Sequence, residues 1–488
     1  MPLLKQLIPS DICLKCQVCC RFPSPESTML PVFMKEEFDR LLPQHKSFFD
    51  SETEVFRPVS KSYHGMSSQA CACPFFNPVT QECLIYHDRP LDCQLYPFVL
   101  TWGPTRKRVF LSLDVQCPFV QDHANQESLL GYAEYVRNFL EEKEMVQVVT
   151  KNPALIGTLD ETIFPLYPLA HLTEAFFQTT LFGGSPPPSA GLALLTLKDR
   201  SFIEACFASS PRAFSEEAFT PLFVFSDLLR FYWKTEKETL FIIAEQGDHF
   251  FMPVPPVVKK LTGGIIEEGF NLLRILNKAG SDVRIEGFGE ERRELVNKLG
   301  CAVYPKSPEY LYRRIDLVDL KGDAYKSKRS LCNFFSKNYS SQYRPYRPQD
   351  FSGCLSLFKE WQNQRILKTT DAYELALLED AALVHRRTLL HAEALGAEGR
   401  VVTIGGEIKG YAFGYPLDEK TWCIFLEIAD SKIKGIAQFL FREFCREKEK
   451  FTIINGMDDS GLKRLGRVKE SYKPFLKKTP YVALRKGI

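Results

Sequence analysis

The sequence predicts a mixed α/β protein in which a cysteine-rich metal-binding module precedes two α/β units of similar element order. Nine of the fifteen cysteines lie before residue 120. Downstream, two stretches each combine helices, a hairpin and further strands, as the switch between 3.6- and 2-residue hydrophobic periods indicates. A Pro/Gly/Ser-rich stretch, 183–191, reads as the linker between these regions.

The elements follow in order. A helical pattern runs from Leu129 to Val149 and closes the module, placed at 1–150, with a connecting segment over 151–191. The first α/β unit, 192–345, begins with a helix expected over Glu216 to Tyr232. A hairpin follows, in which Thr239 to Ala244 turns at 246–248 into Phe250 to Val254. A helix is expected near Gly264 to Lys278, a strand at Val283 to Gly287, a helix at Glu290 to Leu299, and more strand up to Leu320. The second unit, 346–488, has helices at Phe351 to Gln364 and Tyr373 to Leu395. Its hairpin runs Arg400 to Ile404, turns at Gly405-Gly406 and returns over Ile408 to Tyr415. A strand at Thr421 to Ala429, a helix at Ile436 to Lys448 and a strand at Phe451 to Asn455 complete it. The order reads as a tandem duplication of one α/β fold.

Length and composition exclude several classes. A chain of 488 residues exceeds what one core serves, so two or three domains are expected. No apolar run reaches the roughly 18–20 residues needed to cross a bilayer. The net charge of +2 argues against wholesale binding of polyanions, although local fields can differ from the average. The N-terminal residues lack the long apolar core and small-residue cleavage site of a secretion signal. The expected location is therefore the reducing cytoplasm, with membrane contact at most peripheral.

In a reducing compartment the cysteines favour metal over disulfides. Cys13-x-x-Cys16-x-x-Cys19-Cys20 is followed by Cys71, Cys73-Pro74, Cys83, Cys93 and Cys117-Pro118. Two intervening residues let a chain turn so that both thiolates reach one centre. Repeated Cys-x-x-Cys with a distant Cys-Pro is also how bacterial ferredoxins hold iron–sulfur clusters. The candidate ligands are Cys13, Cys16, Cys19, Cys20, Cys73, Cys83, Cys93 and Cys117, with His87 as a substitute. Zinc and an iron–sulfur cluster both suit this donor set, in one centre or two. The remaining cysteines are scattered and read as core.

These residues, with Cys73-Pro74-Phe75 and Cys83-x-Ile85-Tyr86-x-x-Arg89-Pro90-x-x-Cys93-x-x-Tyr96-Pro97-Phe98, resemble the cysteine-cluster family of zinc- or iron-chelating domains. The resemblance covers about the first quarter of the chain. The same module occurs in the flagellin lysine methylase, where it would imply an iron–sulfur protein, but a shared module does not carry its host's reaction.

After the strand ending at Ala429, Lys432-x-x-Gly435-x-Ala437 precedes a helix and resembles the pyrophosphate loop of the GNAT acyltransferases. Further matching residues are Tyr310-x-Tyr312-x-x-x-Asp316-Leu317, Tyr325-x-x-Lys328-Arg329-x-x-x-Asn333, Glu379-Asp380, Glu427-x-Ala429-Asp430 and Asn455-x-x-x-Asp459-x-Gly461. Together they resemble the C-terminal domain of phosphatidylglycerol lysyltransferases, a double-GNAT fold, over roughly residues 195–488. That resemblance implies transfer of an aminoacyl group from aminoacyl-tRNA to an acceptor, here an anionic phospholipid or a protein. Such chemistry needs a proton relay, oxyanion stabilisation and cations for phosphates.

The implied catalytic residues are Asp459, Lys469, Glu427 and Arg467. The implied substrate- and phosphate-binding residues are Lys326, Lys328, Arg329, Asn333, Gly435 and Asn455, set in a basic stretch with aromatic neighbours. Glu379 and Asp430 are further carboxylates that serve either site or scaffold. One departure stands out: where the family commonly has Arg directly after the position of Leu465, this chain has Gly466 and then Arg467. The alternative reading is a non-catalytic iron–sulfur or zinc protein whose GNAT-like half binds a partner.

Overall fold

The computed structural model describes residues 4–9, 12, 19–22, 30–45, 48–49, 61–63, 70–77, 79–80, 82–103, 106–122, 126–158, 162–177, 190–247 and 249–487. Cys13, Cys16 and most of the 183–191 stretch lie outside the described residues. The chain divides into two compact units, one of residues 1–179 with 362–379, the other of 180–361 with 380–488.

Among the described residues the N-terminal unit holds two small sheets. Strands β1 (Arg21–Phe22), β2 (Lys61–Tyr63) and β3 (Ala70–Ala72) form one, ordered β1-β3-β2 and antiparallel. Strands β4 (Phe98–Trp102), β5 (Val109–Asp114), β6 (Ile156–Thr158) and β7 (Ile163–Pro168) form the other, ordered β6-β4-β5-β7. Strand β5 is buried at every position, as a central strand of Val, Phe and Leu must be. Helix α1 (Lys35–His45) precedes the cysteine-bearing loops, and α2 (Gln126–Leu140), α3 (Lys143–Lys151) and α4 (Ala170–Phe177) follow β5. The expected helix over 129–149 is thus α2 and α3, separated by a short break. A core of Phe33, Leu41, Phe49, Phe75 and Ile85 carries Cys73 and Cys83 on its flank.

Among the described residues the C-terminal unit has three sheets. Strands β8 (Ala193–Leu194), β9 (Arg230–Glu236), β10 (Thr239–Gln246) and β11 (His249–Phe251) form an antiparallel meander. The helix expected over Glu216 to Tyr232 is a difference: only Phe219–Val224 is α-helical, and Phe231 and Tyr232 lie in β9. The bulky Phe231-Tyr232-Trp233 run favours a pleated surface, and pairing along β10 overrides the helical pattern. Strand β12 (Val283–Phe288) and β13 (Ala302–Pro305) follow, with helix α5 (Gly263–Leu276) against β11 and β12.

The third sheet has seven strands: β14 (Glu309–Arg313), β15 (Ser341–Pro345), β16 (Glu398–Ile404), β17 (Glu407–Pro416), β18 (Thr421–Ala429), β19 (Ile453–Asn455) and β20 (Leu476–Lys478). Their spatial order is β15-β16-β17-β18-β19-β14-β20, with β18 and β19 the parallel pair. Helices α6 (Lys326–Asn338), α7 (Phe351–Ile366), α8 (Ala372–Leu395), α9 (Ile436–Glu447) and α10 (Lys463–Glu470) complete the unit, apart from the hairpin tip 362–379 assigned to the first. Helix α9 packs on β17 and β18, and α6 packs on α9. The core here includes Tyr310, Tyr312, Phe335, Trp422, Leu440, Phe444 and Ile454.

The last strand, β21 (Tyr481–Arg485), follows β20 of the seven-stranded sheet in the chain but inserts between β12 and β13. Ala483 is fully buried there, and Arg485 makes two bonds to Glu267, of 2.6 and 2.8 Å, and one of 2.8 Å to the Leu299 carbonyl. Truncating the chain after Pro480 removes the middle strand of that sheet. We expect the shortened protein to lose its cooperative thermal transition and to be cleaved within 263–305 by limited proteolysis, with Arg485→Met causing only a milder loss.

Candidate functional site

In the N-terminal unit the thiols are gathered by backbone pairing. The amide of Cys73 donates to the Cys20 carbonyl at 3.0 Å, where β1 meets β3. From Cys73 the chain turns through Phe76 and returns, with Phe76 bridged to Cys83 and the Leu84 amide bonded to the Phe75 carbonyl at 2.8 Å. Cys93 lies in the short helix Leu91–Leu95 and Cys117 caps the helix Pro118–Gln121. Cys19, Cys20, Cys73, Cys83 and Cys93 line one cavity of about 390 Å³, together with Tyr86, Arg89 and Tyr96.

Burial pushes the Cys93 thiol well above its ordinary range, and Asp92, Cys73, Cys20 and Cys83 raise it further. Thiolates so placed repel one another until a cation lies between them. The donor set therefore fits zinc or an iron–sulfur centre. Among the described residues no three such ligands already converge tightly enough to hold an ion, and Cys13 and Cys16 fall outside them. Cys71 packs against Leu30 in the core, and Cys117 lies near Tyr96, as does Cys19.

The support for Cys93 includes two residues the sequence does not flag, Glu37 and Asp92. Glu37 is buried, and one of its oxygens accepts from the Leu91 amide at 2.8 Å while the other accepts from Met34 at 2.9 Å. It thereby satisfies the first amide of the Cys93 helix. Asp92 accepts from the Val32 amide at 2.9 Å. Arg89 stacks 3.9 Å over Tyr86 and donates to the Gln6 side chain at 2.7 Å.

In the C-terminal unit the site begins with a divergence. Strand β18 pairs with β19 over only three positions, Thr421↔Ile453 to Cys423↔Asn455. Its last six residues continue alone on that side while the other chain turns off toward α10. Glu427 sits on this diverging stretch. Its side chain keeps contact with solvent, yet protein surrounds it, as in a recess. Desolvation pushes its pKa up to about 7, and Lys469 and Lys328 pull it back.

Lys469, on the inner side of α10, donates to the Gly456 carbonyl at 2.6 Å and to that of Asp458. Desolvation lowers its pKa to about 8 against the pull of Asp458, Asp459, Glu309 and Glu427. The loop it grips has Met457 and Ser460 at positive φ, +61° and +50°. Left-handed backbone at such residues persists only where its surroundings hold it. Lys328 is half-buried on α6, its ammonium 4.2 Å over the Tyr472 ring, and desolvation lowers its pKa.

Asp459 accepts from the Tyr310 hydroxyl at 2.8 Å and from the Gly461 amide at 3.1 Å. Gly466 is buried against this pair: a Cβ there would stand 2.7 Å from Asp459 Oδ2 and 3.3 Å from the Tyr310 hydroxyl. The departure from the family pattern at Leu465-Gly466 thus has a local cause, because Asp459 occupies the space a side chain would need. Tyr312, two residues along β14, bonds the Lys469 carbonyl at 2.9 Å.

The structure brings Asp459, Lys469, Glu427 and Lys328 into one neighbourhood and disperses the rest. Arg467 is exposed on the outer side of α10. Lys326 and Asn333 lie on the exposed stripe of α6, one face away from Lys328. Arg329 is spent on backbone, donating to the Leu320 and Gly322 carbonyls. Asn455 is buried, with its amide on Glu309 at 2.6 Å and its oxygen on the Met457 amide at 2.8 Å, while Glu309 also holds Ser215. Gly435 caps α9 at φ +89°, and a Cβ there would lie 2.2 Å from the Leu331 carbonyl of α6. Asp430 accepts from the Lys432 amide at 2.9 Å, and Glu379, in the other unit, is buried 3.8 Å from Arg108. The partners Glu309 and Glu37 left no periodic trace; Tyr310 and Tyr312 did, as an alternating pair on one strand face.

A parallel strand pair that splays around a titratable carboxylate and two half-buried cations fits an acyltransferase-like protein of GNAT fold, preceded by a metal-chelating domain. Residues 207–484 match the family model "Phosphatidylglycerol lysyltransferase, C-terminal", and the chain belongs to that family. Residues 12–118 match "Putative zinc- or iron-chelating domain".

Among solved structures, a conserved protein of unknown function from Bacteroides thetaiotaomicron aligns at 23% identity and TM-score 0.55, covering 62% of this chain and 100% of that one. L-PGS from Bacillus licheniformis aligns at 18% and 0.44, covering 63% and 94%. FemX aligns at 10% and 0.43, covering 60% and 96%. An uncharacterised protein of Methanocaldococcus jannaschii is 28% identical over 89 residues, which are 18% of this chain and 43% of that protein, under half its length.

Variants at Glu37, Gly466 and Arg467 check the supports described above. Glu37→Ala should cost about 1–3 kcal/mol through two stranded amides and reduce the metal retained per chain after dialysis against a chelator, with Glu37→Gln intermediate. Gly466→Ala should cost about 1–3 kcal/mol in urea unfolding by crowding Asp459, whereas Arg467→Ala should stay within about 0.5 kcal/mol of the parent.

Proposed function

We propose that the C-terminal unit transfers an aminoacyl group from aminoacyl-tRNA to a lipid or protein acceptor, and that it works in the cytoplasm, peripheral to the membrane. The observation that carries this reading is Glu427, poised at about pH 7 in the wedge between β18 and β19, beside Lys469 and Lys328. The acceptor's hydroxyl or amine attacks the ester carbonyl carbon and gives its proton to Glu427. The tetrahedral oxyanion is stabilised by the Lys328 ammonium. Collapse breaks the ester bond to the tRNA ribose, whose oxygen takes the proton back from Glu427.

Lys469 has a different part. Two of its donors are engaged by the Gly456 and Asp458 carbonyls, so it holds the 456–461 loop and keeps a positive charge near Glu427. Asp459, fixed by Tyr310, is the group suited to an ammonium of the aminoacyl moiety. Exposed Lys326, Asn333 and Arg467 suit the phosphates of a long substrate, and the start of α9 at Gly435 offers amides to another.

In the N-terminal unit the thiolates of Cys20, Cys73, Cys83 and Cys93 would hold an iron–sulfur cluster or zinc, with Cys13, Cys16, Cys19 and Cys117 completing one centre or two. When bound, the group supplies a cross-link for loops with little core of their own, and redox chemistry if it is iron–sulfur.

A second reading, binding without transfer, draws support from Gly466, which leaves Asp459 without the family's neighbouring Arg. Turnover separates the two. Glu427 must be ionised to accept a proton, so kcat/KM should rise with pH through about 7 and fall again as Lys469, near 8, loses its charge. Glu427→Gln should lower the rate about 10²–10⁴-fold and abolish the acid limb. A bell-shaped profile that survives this substitution, or discharge of aminoacyl-tRNA at the parent rate, would sink the assignment.

A further inference from the structure

The outer side of α10 and the edge strand β20 form a surface of which the transfer reading uses only Arg467. Residues 463–478 contain seven Lys or Arg against one Glu, in a chain whose net charge is +2 overall. Lys463, Arg464, Arg467, Lys473 and Lys477 are all exposed. Large apolar side chains stand among them: Phe475 is 44% exposed, Leu476 46% and Val468 51%. The patch is continuous. Lys477 reaches from β20 to Glu470 of α10 at 2.9 Å, and Arg313 lies 5.7 Å over the Phe475 ring. Beyond Arg313 comes Ile315, 52% exposed.

Charge on an edge strand commonly serves only to discourage strand addition. Lysines would suffice for that; Phe475 and Leu476, exposed on the same edge, work against it. Cations ringing exposed aliphatic and aromatic side chains match an anionic lipid surface, where the cations meet phosphates and the apolar groups enter among the headgroups. RNA fits less well. A base can stack on Phe475, but Ile315, Val468 and Leu476 present no flat ring to it.

We propose that this α10–β20 face docks the protein on an anionic bilayer. The proposal rests on the peripheral location proposed above and names the face responsible for it, while docking itself requires no turnover. It also gives α10 two faces with separate duties: Lys469 turns inward to the wedge, and Arg464 and Val468 turn outward to the bilayer.

The test is sedimentation of the full chain with vesicles, either of phosphatidylcholine alone or of phosphatidylcholine and phosphatidylglycerol in equal parts. Circular dichroism and thermal melting verify the fold of each variant. The parent should bind only the anionic vesicles and release with salt. Arg464→Glu with Lys473→Glu should weaken binding at least about thirtyfold, since each cation near the surface contributes about 1 kcal/mol. Phe475→Ser with Leu476→Ser should weaken it as well, including at low salt. No binding by the parent, or unchanged binding by both folded double variants, overturns the proposal. So does binding to bulk tRNA that depends on Arg464 and Lys473 but not on Phe475 and Leu476, which would make the face an RNA surface. Because binding and transfer are measured separately, loss of one leaves the other to be judged on its own.

Discussion

Strands β18 and β19 share three residue pairs and then part, and the chemistry of the C-terminal unit depends on that parting. Parallel strands that stayed paired would fill the middle of the sheet with backbone hydrogen bonds and leave no opening there. Divergence leaves Glu427 facing a recess. It also sends the chain after Asn455 into a loop whose carbonyls need a donor, which Lys469 provides. The buried Asn455–Glu309–Ser215 network ties β19 to β14 beside the point where the two strands part. Full satisfaction of those polar groups makes the closed end rigid, and it is against that rigidity that the open end keeps its shape.

Electrostatics in the recess follow from a contest between burial and charge. Burial penalises the ionised forms of both Glu427 and Lys469, moving one up and the other down. Their mutual attraction restores part of the loss. The thiol cluster in the other unit follows the same logic with one sign only. Buried thiols near one another raise one another's pKa, so their ionised forms favour a cation placed among them.

Local patterns were legible in the sequence and distant ones were not. The hairpin β16–β17 could be read because Gly405-Gly406 interrupts two alternating runs, and the cysteines because ligand spacing is local along the chain. The apolar run before β9 resembled a helix until its pairing with β10 decided otherwise. Gly435 reads as an anion-binding turn from its own neighbours, whereas its close approach to Leu331 involves a residue about 100 positions away. Likewise nothing in the sequence ties Tyr310 to Asp459, or Glu37 to the helix of Cys93. In each case the partner is set by tertiary packing, and only one end of the contact carries a recognisable residue type.

The return of β21 to the first sheet has a consequence in time. Apart from one bridge between Met252 and Ile285, β12 finds its strand partner only about 200 residues downstream. At ordinary synthesis rates roughly 10–40 s separate the appearance of the two strands on the ribosome. Throughout that interval β12 and β13 are unpaired edges flanked by a core that cannot close. The sheet of β12 and β13 therefore closes only after the rest of the unit has been made, and until then its edges depend on whatever shields them from neighbouring chains.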